Sequence, residues 1–351
     1  MRFAPTMLAV ALAATLAVAH AASPSQTTLS QKSLDAAAQL RERALNDDTA
    51  WKFVEGLTTE VGPRLAGSEA DARAVKWTEA KFKALGFDKV WIEPVTFPKW
   101  ERRSESARVL GDHAQPLSIT ALGGSPGGTV EADVVRFADL ESLQHAPAGS
   151  LAGKIAFIDH TMERAKDGNG YGMGSRIRSA GPSAAIRAGA IGYLMRSAGT
   201  DMHRNPHTGI TRFDDGLAPI PSAALAAPDA AQLSRLVALG KPVRVHLALD
   251  CGWDGTAQSH NVIGEMRGRS KPDEVVVIGG HLDSWDLGTG AIDDAAGIGI
   301  TMAAAHRIRQ LGLKPKRSIR VVAFSNEEQG LYGGSAFAKK YGGDAVANGL
   351  A

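Results

Sequence analysis

The stretch Glu274–Gly297 reads EVVVIGGHLDSWDLGTGAIDDAAG and carries two signals in succession. Val275 to Ile278 is a β-branched run, the pattern of a strand in a sheet buried on both faces. His281 and four aspartates (Asp283, Asp286, Asp293 and Asp294) then fall within fourteen positions. From Ala295 to Leu311 the apolar residues Ile298, Met302, Ala305 and Ile308 return at helical spacing. Lys314-Pro315 stops that helix. SIRVVAFSNEE (Ser318 to Glu328) supplies a second strand whose end carries Glu327 and Glu328, and a short helix follows near Ser335 to Lys340. The pattern is two β–loop–helix units with acid-rich loops at the carboxyl ends of their strands. Open α/β sheets place ligand sites there.

Several carboxylates converging without a cation repel one another and raise each other's pKa values. A divalent metal removes that cost, and imidazole with carboxylate oxygen is an ordinary ligand set for zinc or a similar ion. A carboxylate shared by two ions makes a paired-metal site that acidifies water. Asp283, two residues after His281, has the spacing of a group that orients a ligand or a catalytic side chain. Tandem Glu327-Glu328 gives one ligand and one free general base beside it. Alone, a Glu-Glu pair or a His-x-Asp is an ordinary solvated strand end. The joint occurrence of both at two strand ends points to a metal. Asp286 reads as a turn residue and Asp294 as a helix-start residue.

Upstream, helical patterning begins near Ser33 and again over Thr49 to Glu60. In VGPRLAGSEADARAVKWTEAKFKALGF, Gly62-Pro63 and Gly67 break structure, Ser68 and Asp71 make a capping-box signature, and Gly86 sits at a helix C-terminus. KVWIEPVTF (Lys89 to Phe97) alternates like a strand. From about Leu117 to Leu249 the texture changes to short β-like pieces between Gly/Pro turns (GTVEADVVRF, GKIAFID, GAIGYLMRS, VRVHLAL), with helices near Ser183 to Ala188 and Asp229 to Leu239. The reading is an α/β catalytic domain in two segments, 33–113 and 254–351, around an inserted β-rich module at 114–250.

Composition narrows the function. The 351 residues are 44% hydrophobic and carry 39 Lys/Arg against 37 Asp/Glu, so there is no basic field for a nucleic-acid partner. Met1-Arg2, the 13-residue apolar run Met7 to Ala19 and the small-x-small Ala19-His20-Ala21 form a secretory signal over 1–21, too short to span a membrane. An exported, secreted or periplasmic chain without a membrane span is expected. Cys251 is the single cysteine, so no internal disulfide forms, and it reads as a plain buried or partly exposed thiol. Pro206 between His203 and His207 spoils a helical ligand pair, leaving loop histidines. His306 reads as half exposed on its helix and His160 as structural. GYGMGS (Gly170 to Ser175) follows polar loop residues and is rejected as a phosphate loop.

GGHLDSWDLGTGAIDDAAG followed by LGLKPKRSIRVVAFSNEEQGLYGGSAFA resembles the metal-binding core of the co-catalytic zinc exopeptidases, the group that includes bacterial leucyl aminopeptidases and carboxypeptidase Q. Its wording is nearest the carboxypeptidase Q type. GPRLAGSEADARAVKWTEAKFKALGF is similar to the opening segment of that family. The inserted module, with GKIAFID, AGAIGYLMRS and IPSAAL, resembles a protease-associated domain. The fold implied is α/β, a mostly parallel sheet flanked by helices and incomplete at the C-terminus.

The resemblance implies an exported metallopeptidase acting on peptides or dipeptides, with two zinc ions per site in a full-length chain and homodimers. It assigns His281 to one metal, Asp293 to the bridge between both, Glu328 to the second metal, Glu327 as the base that activates the bridging water, and Asp283 as the residue that steers the site. It also implies a cis peptide between Asp293 and Asp294. The family completes its metals with a further Asp and a C-terminal His. After Glu328 this chain has only Asp344, which is not assigned, and no histidine. A C-terminally truncated chain is therefore the expectation. The alternative is an inactive fragment on a peptidase scaffold, acting as a binding or interaction protein.

Overall fold

The computed structural model describes residues 29–343. The signal reading at 1–21 and Asp344 lie outside them. Among the described residues no helix is long and apolar enough to cross a membrane.

Three helices come first: α1 (Gln31–Ala44), α2 (Thr49–Gly56), which runs on into a wider turn at Leu57–Val61, and α3 (Glu69–Ala84). Ser68 caps α3 by accepting from Asp71 N at 3.1 Å. The reciprocal half of the expected capping box differs: the Asp71 carboxylate accepts from Gly67 N at 2.9 Å, one residue before the cap, and Gly67 stands at φ +82°. Gly86, at φ +77°, closes the helix and donates to Lys83 O at 3.0 Å.

Strand β1 (Lys89–Val109) is 21 residues long, well past the expected end at Phe97. Over most of its length β1 pairs on one side only, with β8, the kind of strand in which a proline such as Pro98 is tolerated. The register slips at bulges between Pro98 and Trp100 and between Arg102 and Ser104. The chain continues through β2 (Gln115–Leu117), β3 (Ile119–Ala121), β4 (Gly128–Phe137), α4 (Leu140–Gln144) and β5 (Ile155–Ile158). Next come α5 (Tyr171–Arg187), β6 (Gly192–Arg196), β7 (Ser222–Leu225), α6 (Ala227–Ala238) and the 23-residue β8 (Arg244–Met266). Helix α5 starts far upstream of the expected Ser183. Its glycines argue against a helix locally, yet Gly174 and Gly181 let it lie directly on Ala198 and Tyr193, where an added Cβ would come within 2.9 and 2.1 Å. Tertiary packing overrides propensity.

The last elements are β9 (Lys271–His281), a wide helical turn at Ala291–Ala296, α7 (Gly297–Gln310), β10 (Arg317–Phe324) and α8 (Tyr332–Tyr341). β9 and β10 pair in parallel with His281 beside Phe324, and β10 pairs antiparallel with β8. β4, β5, β6 and β7 are parallel neighbours. The class is α/β, a mixed sheet flanked by helices. β9 departs from the expectation of burial on both faces: Val276 and Val277 are 45% and 44% exposed, since β9 pairs only with β10 and lies at an edge of the described sheet.

One apolar core, with Phe53, Leu57, Phe82, Ile298, Met302 and Val321, joins α2, α3 and α7 to β8 and β10. Another packs Trp100 and Val109 of β1 and Leu247 and Cys251 of β8 against β4, β5 and β7. β1 and β8 therefore run from the first core into the second. Cys251 is buried there, and burial pushes its thiol up to about 11, an inert group.

Candidate metal centre

Because β9 and β10 are parallel neighbours, the loops that follow them leave the sheet side by side, and their acids converge at one edge. His281, the last residue of β9, is buried. Its Nδ1 lies 3.0 Å from the Asp283 carbonyl oxygen, which fixes the ring with Nδ1–H donating and leaves Nε2 to face Asp293 Oδ1 at 2.8 Å. Ligand atoms of His281, Asp293 and Glu328 all lie within 4.8 Å of one another. Glu327 Oε2 stands 3.8 Å from His281 Nε2, beside that trio rather than inside it.

The positions are held from behind. Asp283 is completely buried, and its two carboxylate oxygens accept from Glu327 N at 3.0 Å and Glu328 N at 3.2 Å. Its carbonyl orients the His281 ring while its side chain ties down the second loop, so it reaches both halves of the trio. Asp294 acts similarly. One oxygen accepts from His281 N and the other from Gly297 N, both at 3.0 Å, which fastens the start of α7 to the end of β9. The peptide between Asp293 and Asp294 is cis.

Charge is crowded here. Burial and the nearby Asp293 carboxylate push Glu328 up to about 8, and burial raises Glu327 against the opposing pull of His281. Burial alone would lower His281, but its hydrogen bonds to Asp283 and Asp293 prevail and carry it up to about 11. The hydrogen bond from His281 holds Asp293 below the usual carboxylate range. A proton on His281 answers part of this demand for positive charge. A divalent cation answers more of it, because it can take Asp293 and Glu328 at the same time. One imidazole and two carboxylates, with the ring tautomer set by a backbone acceptor, suit zinc.

Several residues that hold the site escaped the sequence reading. Arg64 is fully buried and donates to Leu282 O, Thr289 O and, at 3.0 Å, Gly290 O, while its backbone N donates to Ser284 Oγ at 3.1 Å. One side chain thus pins the whole loop between His281 and Asp293. Burial lowers Arg64 to about 10, which leaves it charged at neutral pH. A lone Arg between Gly-Pro and Leu-Ala-Gly was the available clue, since an arginine amid apolar residues and turn formers needs buried acceptors. Asn261 of β8 accepts from Ser325 N and donates to Gly333 O, both at 2.9 Å, and so shapes the loop after β10.

Asp286, expected to be a turn residue, accepts from Arg102 Nε at 2.9 Å; the fold brings β1 to this loop, and no local pattern signals that. His207, read as a plain loop histidine, does sit in a loop, but it lines both cavities at the site. One, about 620 Å³, lies between the 197–208 loop and Trp285, Asp293 and Glu328. The other, about 250 Å³, runs from Glu327 and Glu328 to Tyr171, Arg178 and Arg212. Burial, with help from Arg178, lowers His207 to about 4, so it is neutral at physiological pH.

Residues 261–349 match the profile of peptidase family M28. Mouse carboxypeptidase Q is 35% identical over 284 residues, a span that takes in 80% of this chain and 59% of the mouse protein. The chain therefore covers less than two thirds of that curated relative's length. A zinc aminopeptidase from Bacillus subtilis shares the fold, with a TM-score of 0.59 at 20% identity over 83% of this chain and 64% of its own. The crystal structure of a peptidase M28 precursor from Shewanella amazonensis superposes with a TM-score of 0.85 at 48% identity, covering 89% of this chain and 71% of the other. Identity of that order across more than two thirds of a solved relative shows that the chain belongs to peptidase family M28.

Proposed function

We propose that this chain carries the metal-binding and general-base residues of an exported zinc exopeptidase that hydrolyses peptides or dipeptides. The observation that carries the reading is the convergence of His281, Asp293 and Glu328 within 4.8 Å, with Glu327 beside them. His281 and Glu328 would each bind one ion and Asp293 would bridge the two. Zinc held by these residues would polarise a scissile carbonyl and lower the pKa of water. Glu327, raised by burial and facing the 250 Å³ cavity, is suited to take a proton from the attacking water and hand it to the departing amine. Asp283 keeps Glu327 and Glu328 in place through their backbone N–H groups. Segments 33–113 and 254–351 form the catalytic domain in this reading, and 114–250 is an inserted module that walls the site. The N-terminal signal pattern supports export.

Glu327→Gln tests it. The variant should keep the zinc content of the parent protein and lose roughly 10²–10⁴-fold in turnover of dipeptides and aminoacyl anilides. Unchanged turnover would remove Glu327 from the chemistry.

A further inference from the structure

Among the described residues only two that are not glycine have positive φ, and both belong to the segment that carries the acid pair: Asn326 at +53° and Leu331 at +63°. That segment is closed on itself. Tyr332 N donates to Asn326 O at 3.0 Å, Gly333 N to Ser325 O at 2.8 Å, and Leu331 N to Glu327 O at 3.1 Å. Gln329 Nε2 ties it to the Trp100 carbonyl of β1 at 3.1 Å. Leu331 is exposed, whereas Asn326 is fully buried.

Hydrogen bonding of its side chain does not account for Asn326. Neither Oδ1 nor Nδ2 has a partner among the described residues, and a buried amide left unpaired is costly. The backbone does account for it. At φ +53° most side chains crowd the main chain; asparagine is enriched there, and β-branched residues are genuine outliers. Rotation about the Asn326 N–Cα bond sets the plane of the next peptide, and so the direction of Glu327 N–H. Glu327 and Glu328 do not share the positive φ. A change of sign between neighbouring residues turns successive N–H groups to one side and makes a seat for an anion. Here the anion is the Asp283 carboxylate, which accepts from Glu327 N at 3.0 Å and Glu328 N at 3.2 Å.

We propose that Asn326 is a positioning residue of this centre. Its left-handed backbone, rather than its amide, aims the Glu327 and Glu328 N–H groups at Asp283 and thereby sets where the Glu327 carboxylate stands beside His281. A residue that preferred negative φ would swing the 326–327 peptide and release Glu327 N–H from Asp283. The effect on turnover rests on the peptidase reading; the effect on the two N–H groups rests on backbone geometry alone.

Three substitutions separate backbone from side chain. Asn326→Gly discards the amide and keeps free access to positive φ. Asn326→Ala discards the amide and resists that φ. Asn326→Thr keeps a polar side chain of similar size and, being β-branched, resists it most. In the zinc-loaded full chain, hydrogen exchange of the Glu327 and Glu328 amides would be measured beside zinc content and the steady-state hydrolysis of a dipeptide. Both exchange and kcat should rank the parent with Gly, then Ala, then Thr. In the Thr variant the two amides should exchange roughly 5- to 30-fold faster. Its kcat should fall roughly 10- to 100-fold, with KM and zinc content near those of the parent. Parent-like exchange and kcat in the Thr variant would overturn the proposal. A loss in the Gly variant equal to that in Thr would assign the role to the amide and overturn it as well. If the Thr variant does not fold, Ala against Gly decides the same question. A parent protein that hydrolyses no dipeptide would count against the peptidase reading, and the order of the exchange rates would then decide the role of Asn326 by itself.

Discussion

The carboxylate of Asp283 and the backbone N–H of Glu327 are joined at 3.0 Å across two loops 44 residues apart in sequence, and Glu328 N is held by the same side chain at 3.2 Å. Asp283→Ala would strand both buried donors. We expect a loss of about 2–5 kcal/mol in urea unfolding and at least ~100-fold in turnover, from misplacement of the general base. Zinc should still bind at His281, because Asp283 orients that ring through its backbone carbonyl. Loss of all zinc with the side chain would contradict this division of labour.

Arg102 couples the inserted stretch to the site loop. Its side chain is 5% exposed and meets Asp286, Glu105 at 2.9 Å and the Ala121 carbonyl at 2.7 Å, while Trp285 packs edge-on to Trp100. Arg102→Met should cost roughly 2–4 kcal/mol, less than a fully buried pair because Asp286 is partly solvated. A double-mutant cycle with Asp286→Asn should give a coupling of about 0.5–3 kcal/mol. Strict additivity would mean that the two residues act independently.

Gly280 lies against the start of α7. A Cβ at this position would meet Asp294 Oδ2 at 2.3 Å and Ile298 N at 2.9 Å. Gly280→Ala must therefore displace the carboxylate that holds His281 N. Zinc affinity, measured by competition with a chelating dye, should fall roughly 10- to 100-fold, the usual range for loss of an outer support. Parent-like affinity would show that the Asp294 contact is dispensable.

Asp71 gives a pH signature away from the metal ligands. Burial raises its carboxyl from 3.8 to about 6. Below the unfolded value both states are protonated and the group costs nothing. Above the folded value both are ionised and the native state bears the full penalty. Asp71 therefore destabilises the fold increasingly as pH rises from about 4 to about 6. Asp71→Asn keeps an acceptor for Gly67 N and removes the charge, so its stability relative to the parent should improve by ~1–3 kcal/mol over that window. A difference that is flat with pH in chemical denaturation would put Asp71 in the ordinary range.

Legibility in the sequence followed the range of the interactions. β9, α7 and β10 were readable because β-branched runs and helical spacing are local patterns, and the acids at their ends stood out as costly without a cation. The N-cap at Ser68 was readable for the same reason. β1 was legible only from Lys89 to Phe97, where the alternation is local; the rest of the strand depends on its pairing with β8. The start of α5 was missed because its glycines are justified only by Ala198 and Tyr193 across the packing.

By itself the sequence determined the α/β class, the two acid-bearing strand ends and the chemical type of the donors, since periodicity and residue chemistry are properties of the chain. Only the tertiary structure decided that Arg64 pins the loop from 282 to 290, that Asp283 spans both halves of the site, and that Arg178 faces the same cavity as Glu327. Those relationships join residues tens to hundreds of positions apart. A buried charge acquires its meaning from the partners that folding brings to it, and no local pattern in the chain encodes them.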